Sequence, residues 1–252
     1  MPRTFRNQSA KWLSLSSSVR FPCSKSLPSL QQEFLGDVLM KLVAAVIRLF
    51  ARTFLQRNVR NLDSALERRI AKAKPQFQRH IPEKLLTMLV IAEDHRFFSH
   101  GGFDPIAFLR AAYRTAVFRD IQGGSTIEQQ LVRVVTGRYE RTLRRKFIEI
   151  CLATTIVRHL TKRNTAVLYL TIAYYGWRMT DLSRAIKLRG LDLDDLSDDD
   201  ASTLVALIKY PVPKSPEKLD RHQLKLTARV LHIRSHYDAA GRPELFAKQE
   251  DR

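Results

Sequence analysis

The segment Glu93-Asp94-His95-Arg96-Phe97-Phe98-Ser99-His100-Gly101-Gly102-Phe103-Asp104-Pro105 packs three acids, two histidines and a glycine pair into one short stretch. A predominantly apolar run, Leu85-Leu86-Thr87-Met88-Leu89-Val90-Ile91-Ala92, leads straight into Glu93. A carboxylate at the end of a buried run is partly desolvated, which suits it to proton transfer. The glycines let the backbone turn sharply just after His100. Taken alone, acids in a loop read more readily as solvated than as catalytic. The rest of the chain separates the two readings.

The segment resembles the first signature of the family 51 glycosyltransferases, the peptidoglycan glycosyltransferases. That signature is Glu-Asp, two residues, Phe, two residues, His, one residue, Gly, one residue, Asp. Glu93, Asp94, Phe97, His100, Gly102 and Asp104 fill every place. The second signature is Gly-Gly-Ser-Thr followed by a glutamine pair, here Gly123-Gly124-Ser125-Thr126-Ile127-Glu128-Gln129-Gln130. The third is an Arg-Lys pair with a Glu three residues on, here Arg145-Lys146-Phe147-Ile148-Glu149. All three stand in family order, and the resemblance covers residues 75 to 216.

The chain has 252 residues, which suits one catalytic domain and an N-terminal segment, without the transpeptidase domain that many family members carry. The formal net charge is +18, and residues 1–92 hold 16 Lys and Arg against 5 Asp and Glu. Such a surplus calls for an anionic partner: acidic lipid, phosphate or nucleic acid. Cys23 in a Ser-rich arm and Cys151 in an apolar helical pattern make no disulfide framework.

Residues 1–33 are rich in Ser, Pro, Arg and Lys and read as a disordered arm. Residues 34–60 read as a membrane-associated helix. Relatives carry a membrane-spanning helix at this place, yet this stretch holds Asp37, Lys41, Arg48 and Arg52, and its uninterrupted apolar run is only Leu42 to Ile47. A bilayer crossing takes about 20 mostly apolar residues. Lys41, Arg48 and Arg52 share one helical face, so an interfacial amphipathic helix and a span both stay open. A start at Met40, opening an export-type segment, is a further expectation.

From residue 61 to 220 the chain reads as the catalytic domain, followed by a helical tail over 221–252. Pro82-Glu83-Lys84 opens a helix through Ala92. Ile106, Leu109, Ala112, Tyr113 and Ala116 recur at helical spacing. Ser125 and Thr126 suit an N-cap, with Glu128 placed to close a capping box on Ser125. Residues 140–160 form a helix with Leu143, Phe147, Ile150 and Thr154 on one face; 164–175 and 198–209 form two more. No strand alternation, internal repeat, Gly-rich phosphate fingerprint or Cys/His metal cluster competes. The expected fold is therefore all-α. The resemblance specifies it further, as a lysozyme-like helical domain with a smaller membrane-facing lobe.

The resemblance implies joining of lipid-linked disaccharides (lipid II) into a β-1,4 glycan, with inversion and release of undecaprenyl pyrophosphate. Such a displacement needs a base for the attacking hydroxyl and cations for the leaving group. By resemblance Glu93 is the base, and Glu149 is the second carboxylate, near the leaving phosphates. Arg133, Arg141, Arg145 and Lys146 supply the positive charge. Ser125, Thr126 and Gln130 form the polar donor wall, and Asp94, Phe97 and His100 complete the substrate side. On their own chemistry, a turn histidine more often ties down backbone, Phe97 packs in a core, and Glu149 pairs within its helix. No cofactor is required, and a divalent cation, Mg or Mn, is admitted beside Glu149. Expected partners are lipid II, the nascent glycan strand, membrane lipids and other cell-wall or division proteins, not nucleic acid. The expected location is the outer face of a bacterial cytoplasmic membrane.

Two later signatures have drifted. Leu168-Tyr169-Leu170-Thr171-Ile172-Ala173-Tyr174-Tyr175-Gly176 resembles the fourth, but Thr171 replaces an Asn, and Trp177-Arg178-Met179-Thr180-Asp181-Leu182 replaces small residues. Asp200-Ala201 stands for Glu-Ala of the fifth, and Val157 and Val167 fall where relatives have acids. This erosion leaves open a non-polymerising member that binds lipid-linked precursor or a division partner. A basic nucleic-acid binder is the other alternative, but it leaves the Gly-Gly-Ser-Thr segment unexplained.

Overall fold

The computed structural model describes residues 27–77, 81–118 and 123–246. The chain divides into Met1–Leu35 and Gly36–Arg252. Of the first unit, residues 27–35 open helix α1 (Leu27–Phe54). The stretch 1–26, with Cys23, lies outside the described residues. Residues 27–33, expected within the arm, are helical. Pro28 suits a first turn, and Leu30, Gln31, Gln32 and Glu33 favour helix.

The second unit holds the core and the site. After α1 come α2 (Gln56–Phe77), α3 (Glu83–Glu93), α4 (Pro105–Phe118), α5 (Ile127–Thr136) and α6 (Leu143–Ile156). Then follow α7 (Lys162–Ile172), α8 (Leu182–Arg189), α9 (Asp198–Lys209) and α10 (Leu219–Ala239). Among the described residues there is no strand, only two isolated bridges from Gly176 to Met179 and Val212. The all-α expectation holds. The tail expected to be helical over 221–252 is helical to Ala239 and irregular from there to Phe246.

Helix α3 lies at the centre, packed on α7, α9 and α10, while α5 packs on α2, α6 and α7. Leu85, Leu86, Met88 and Leu89 of α3, Ile127 and Leu131 of α5, Leu168 and Leu170 of α7, and Leu204 and Leu207 of α9 are fully buried. Truncating any one of these leucines to alanine costs about 2–5 kcal/mol. This packing holds the C-terminus of α3, and with it Glu93, against the N-terminal half of α5.

Two expected apolar faces point outward instead. On α4, Ile106, Leu109 and Tyr113 are exposed and only Ala111 is buried. On α6, Leu143 and Phe147 are exposed while Thr154 of the same expected face is buried, along with Glu149, Cys151, Leu152, Ala153, Thr155 and Ile156. Helical spacing identifies an apolar stripe without saying what covers it.

The loop after α3 is pinned at Gly102. Its φ is +97°, and a Cβ there would sit 2.3 Å from the Ala153 carbonyl oxygen. Only glycine permits that approach. Thr126 Oγ1 donates to the Gly102 carbonyl at 2.8 Å, which fastens the same loop to α5. At the far end, Phe246 is buried with its ring 5.0 Å from that of Phe98. Its N–H donates to Glu83 Oε1 at 2.7 Å, at the start of α3.

Candidate active site

Glu93 is the last residue of α3. Its Oε2 accepts from Gln130 Nε2 at 3.0 Å, and Gln130 Oε1 accepts from the Tyr169 hydroxyl at 2.6 Å. Its Oε1 accepts from Arg229 Nη2 at 3.0 Å. The sequence reading expected a carboxylate desolvated by its apolar run. The Glu93 side chain is 12% exposed, and both of its oxygens are also held. Burial, reinforced by the Glu93 charge, pushes the Tyr169 phenol well above its ordinary pKa, so it stays a donor.

The other first-signature side chains turn inward. Asp94 accepts from His100 Nε2 at 3.1 Å and from the Ile127 N–H at 3.1 Å, where α5 begins. His100 Nδ1 accepts from the Gly102 N–H at 3.2 Å, which assigns the ring proton to Nε2. Phe97 has no exposed surface. Asp104 accepts from the Ile106 and Ala107 N–H groups, both at 3.0 Å, and caps α4, while Arg96 pairs with it at 2.9 Å. Asp94, Phe97 and His100, expected on the substrate side, are buried, and Asp94 ties the loop after α3 to the start of α5.

Glu149 is buried under three cations. Arg133 grips it with Nε and Nη2, both at 3.0 Å; Lys146 Nζ lies 2.9 Å from Oε1, and Arg145 donates to Oε2. Lys146 also donates to Ser125 Oγ at 2.8 Å and to Gln129 Oε1. Burial alone would raise the Glu149 pKa, but the Arg133 hydrogen bonds and the Lys146 charge outweigh it and the net direction is down. Burial, with Arg133 and Arg145 nearby, lowers Lys146 in spite of Glu149. Three cations around one carboxylate leave a surplus of positive charge. Arg141 is not among them: it is exposed in the segment before α6.

Of the two residues expected to cap α5, one does so. Thr126, not Ser125, is the N-cap and accepts from the Gln129 N–H. The Ser125–Glu128 capping box does not form. Glu128 instead turns inward and pairs with Lys162, whose ammonium sits 4.2 Å from the Phe97 ring centroid. In the drifted fourth signature, Thr171 bonds the Val167 carbonyl in its own helix, and Lys214 lies 4.6 Å from the Trp177 ring.

Glu149 and Glu128 are each already paired with a cation inside the protein. Both oxygens of Glu149 are taken by cations. Asp94, His100 and Glu128 bring potential ligand atoms within 4.8 Å of one another. The His100 ring, however, has both nitrogens engaged, and Lys162 already neutralises Glu128. No chemical step is therefore routed through a metal.

Sequence reasoning missed Arg229, Tyr169, Gln129 and the Glu128–Lys162 pair. Glu128, Gln129 and Tyr169 lay within the quoted signatures, where a polar side chain on a helix otherwise apolar on that face was a usable signal.

These elements have known counterparts. The transglycosylase family model matches residues 58–236, most of the chain, and the chain belongs to that family. It is 40% identical over 140 residues to penicillin-binding protein 1A of Aquifex aeolicus, covering 54% of this chain and 19% of that protein. It is 37% identical over 139 residues to penicillin-binding protein 1A of Escherichia coli, covering 54% of this chain and 16% of that protein. It is 30% identical over 184 residues to penicillin-binding protein 1B of Vibrio cholerae, covering 71% of this chain and 23% of that protein. The chain thus spans about a fifth of the length of these relatives.

Proposed function

We propose that this chain is a peptidoglycan glycosyltransferase that polymerises lipid II into β-1,4-linked glycan. One observation carries the reading: α5 holds both halves of a displacement site. Its Gln130 orients Glu93, and three residues on its Arg133 grips Glu149 in the cation cluster. In the proposed step, Glu93 takes the proton of the sugar 4-hydroxyl as its oxygen attacks the anomeric carbon. The bond to the pyrophosphate oxygen breaks, inverting the centre, and the new anionic charge falls to Lys146, Arg145 and Arg133. Ser125 is held at the rim by Lys146. Glu149 keeps the three cations together without cancelling them.

A seat on the outer face of a cytoplasmic membrane belongs to the same proposal. Among the described residues no helix is long and apolar enough to cross a membrane. Leu42, Val46, Leu49 and Phe54 of α1, Ile106, Leu109, Tyr113, Val117 and Phe118 of α4, and Leu143 and Phe147 of α6 are exposed. Ala44 and Ala51 are buried, and Arg48 Nε donates to the Thr154 carbonyl at 2.7 Å, so the inner face of α1 is committed to the domain. Apolar side chains of this kind suit a lipid surface better than water. The interfacial reading is therefore preferred to a span.

The test is purified protein with labelled lipid II in detergent. Wild type should form polymer, and Glu93→Gln should lose about 10²–10⁴-fold in rate while still binding lipid II. An equally active Glu93→Gln would remove the base and the reading with it.

A further inference from the structure

We propose that Arg229, in a helix beyond all five signature segments, is a positioning residue for the base. It rests on the reading of Glu93 given above. Arg229 reaches Glu93 from 136 residues further along the chain. Its Nη2 donates to Glu93 Oε1 at 3.0 Å and also to the Ala92 carbonyl. The pair is nearly buried, with side-chain exposures of 11% and 12%. One guanidinium thus satisfies a carbonyl at the open end of α3 and holds the carboxylate that this end presents.

Glu93 is held from two sides. Gln130 fixes Oε2 from α5, and Arg229 fixes Oε1 from α10. The plane of the carboxylate is set by the two together, and so is the direction of the lone pairs left for a hydroxyl proton. With Gln130 alone, the group can rotate about its last torsion, where the barrier is low. A proton acceptor misplaced by about 1 Å costs on the order of 10²-fold in rate. Lys209, at the end of α9, feels the same two groups. Burial lowers its pKa, Arg229 lowers it further, and Glu93 opposes them. Glu93 is therefore the acid that lets two cations stand side by side at this end of α3, and without the base they would repel. Arg229 touches no place where substrate would react; it acts through Glu93.

The experiment compares wild type, Arg229→Met, Arg229→Lys and the double variant Glu93→Gln/Arg229→Met in lipid II polymerisation. Arg229→Met should lower kcat about 10- to 100-fold with KM within about threefold, because orientation of the base is lost and binding is not. Arg229→Lys, which keeps a cation and a donor, should recover most of that loss. On the Glu93→Gln background, Arg229→Met should reduce the residual rate by less than about twofold, since the two act as a unit. If Arg229→Met does not fold, Arg229→Gln replaces it, keeping a donor and dropping the charge. A wild-type kcat in either neutral variant, no rescue by lysine, or the full loss repeated on the Glu93→Gln background would overturn the role of Arg229. An active Glu93→Gln would instead overturn the underlying function, so the two failures are distinguishable.

Discussion

Gln130 Nε2 donates to Glu93 Oε2 at 3.0 Å, a bond that ties the second signature to the carboxylate of the first. It is backed by the Tyr169 hydroxyl on the other side of the same amide. The amide cannot turn over without breaking both, because its oxygen accepts from the phenol and its nitrogen donates to the carboxylate. Gln130→Leu should therefore lower kcat about 10- to 100-fold with little change in KM. Tyr169→Phe removes only the outer bond and should cost a few-fold, about the effect of one hydrogen bond. Steady-state polymerisation rates on the two variants check the order; equal losses would mean that the amide is not oriented in this way.

Arg133→Lys separates charge from shape. If only charge mattered, lysine would be neutral. The two-nitrogen grip on Glu149 says otherwise, since an ammonium cannot reproduce a guanidinium fork. The expected result is a loss of about 10-fold or more in turnover, with a lowered melting temperature. Turnover within twofold of wild type would show that the fork is idle.

The His232 pKa is pushed down to about 4, first by burial and then by His236, Arg229 and Lys209. The folded chain therefore holds this imidazole neutral where the unfolded chain, with a value near 6.5, takes up a proton. Stability should decline as pH falls from about 6.5 to about 4, because the unfolded state binds more protons across that window. His232→Gln should flatten the decline. Denaturant midpoints of both proteins at pH 7, 5.5 and 4.5 test it; parallel curves would show that the histidine contributes nothing.

Replacing Val46, Leu49 and Leu109 with glutamate should abolish sedimentation with anionic vesicles while leaving helix content unchanged, since all three are exposed. Wild-type binding should weaken as salt rises, because arginines at an anionic surface contribute about 1 kcal/mol each and salt screens them. Release of the wild type by alkaline carbonate is also expected. Retention until detergent is added would favour a span over the interfacial seat.

Much of this site was legible because its signals are local. Glu93, Gln130, Lys146 and Glu149 lie in short segments of fixed spacing, on α3, α5 and α6. What escaped was decided at a distance. Arg229 is one of many basic residues on a polar helix, and nothing near it in sequence names Glu93 as its partner. The stripe on α4 was visible as a stripe, but its direction depended on which neighbours α4 meets. Arg141 matched the neighbouring arginines in type and fell in the exposed segment outside the helix. Glu128 fitted a capping box on Ser125, yet Thr126 makes the cap and Lys162 takes the acid inward.

The bond from the Phe246 N–H to Glu83 sets a timetable for the chain as it is made. Helix α3 is synthesised before the residues that secure its two ends: Phe246 at Glu83 and Arg229 at Glu93. Synthesis runs at about 5–20 residues per second, so the helix bearing the base waits on the order of ten seconds for its last fastenings. During that interval the nascent protein carries every signature and lacks an aligned base. Alignment of Glu93 is thereby deferred until residue 246 has been made and the two clasps close.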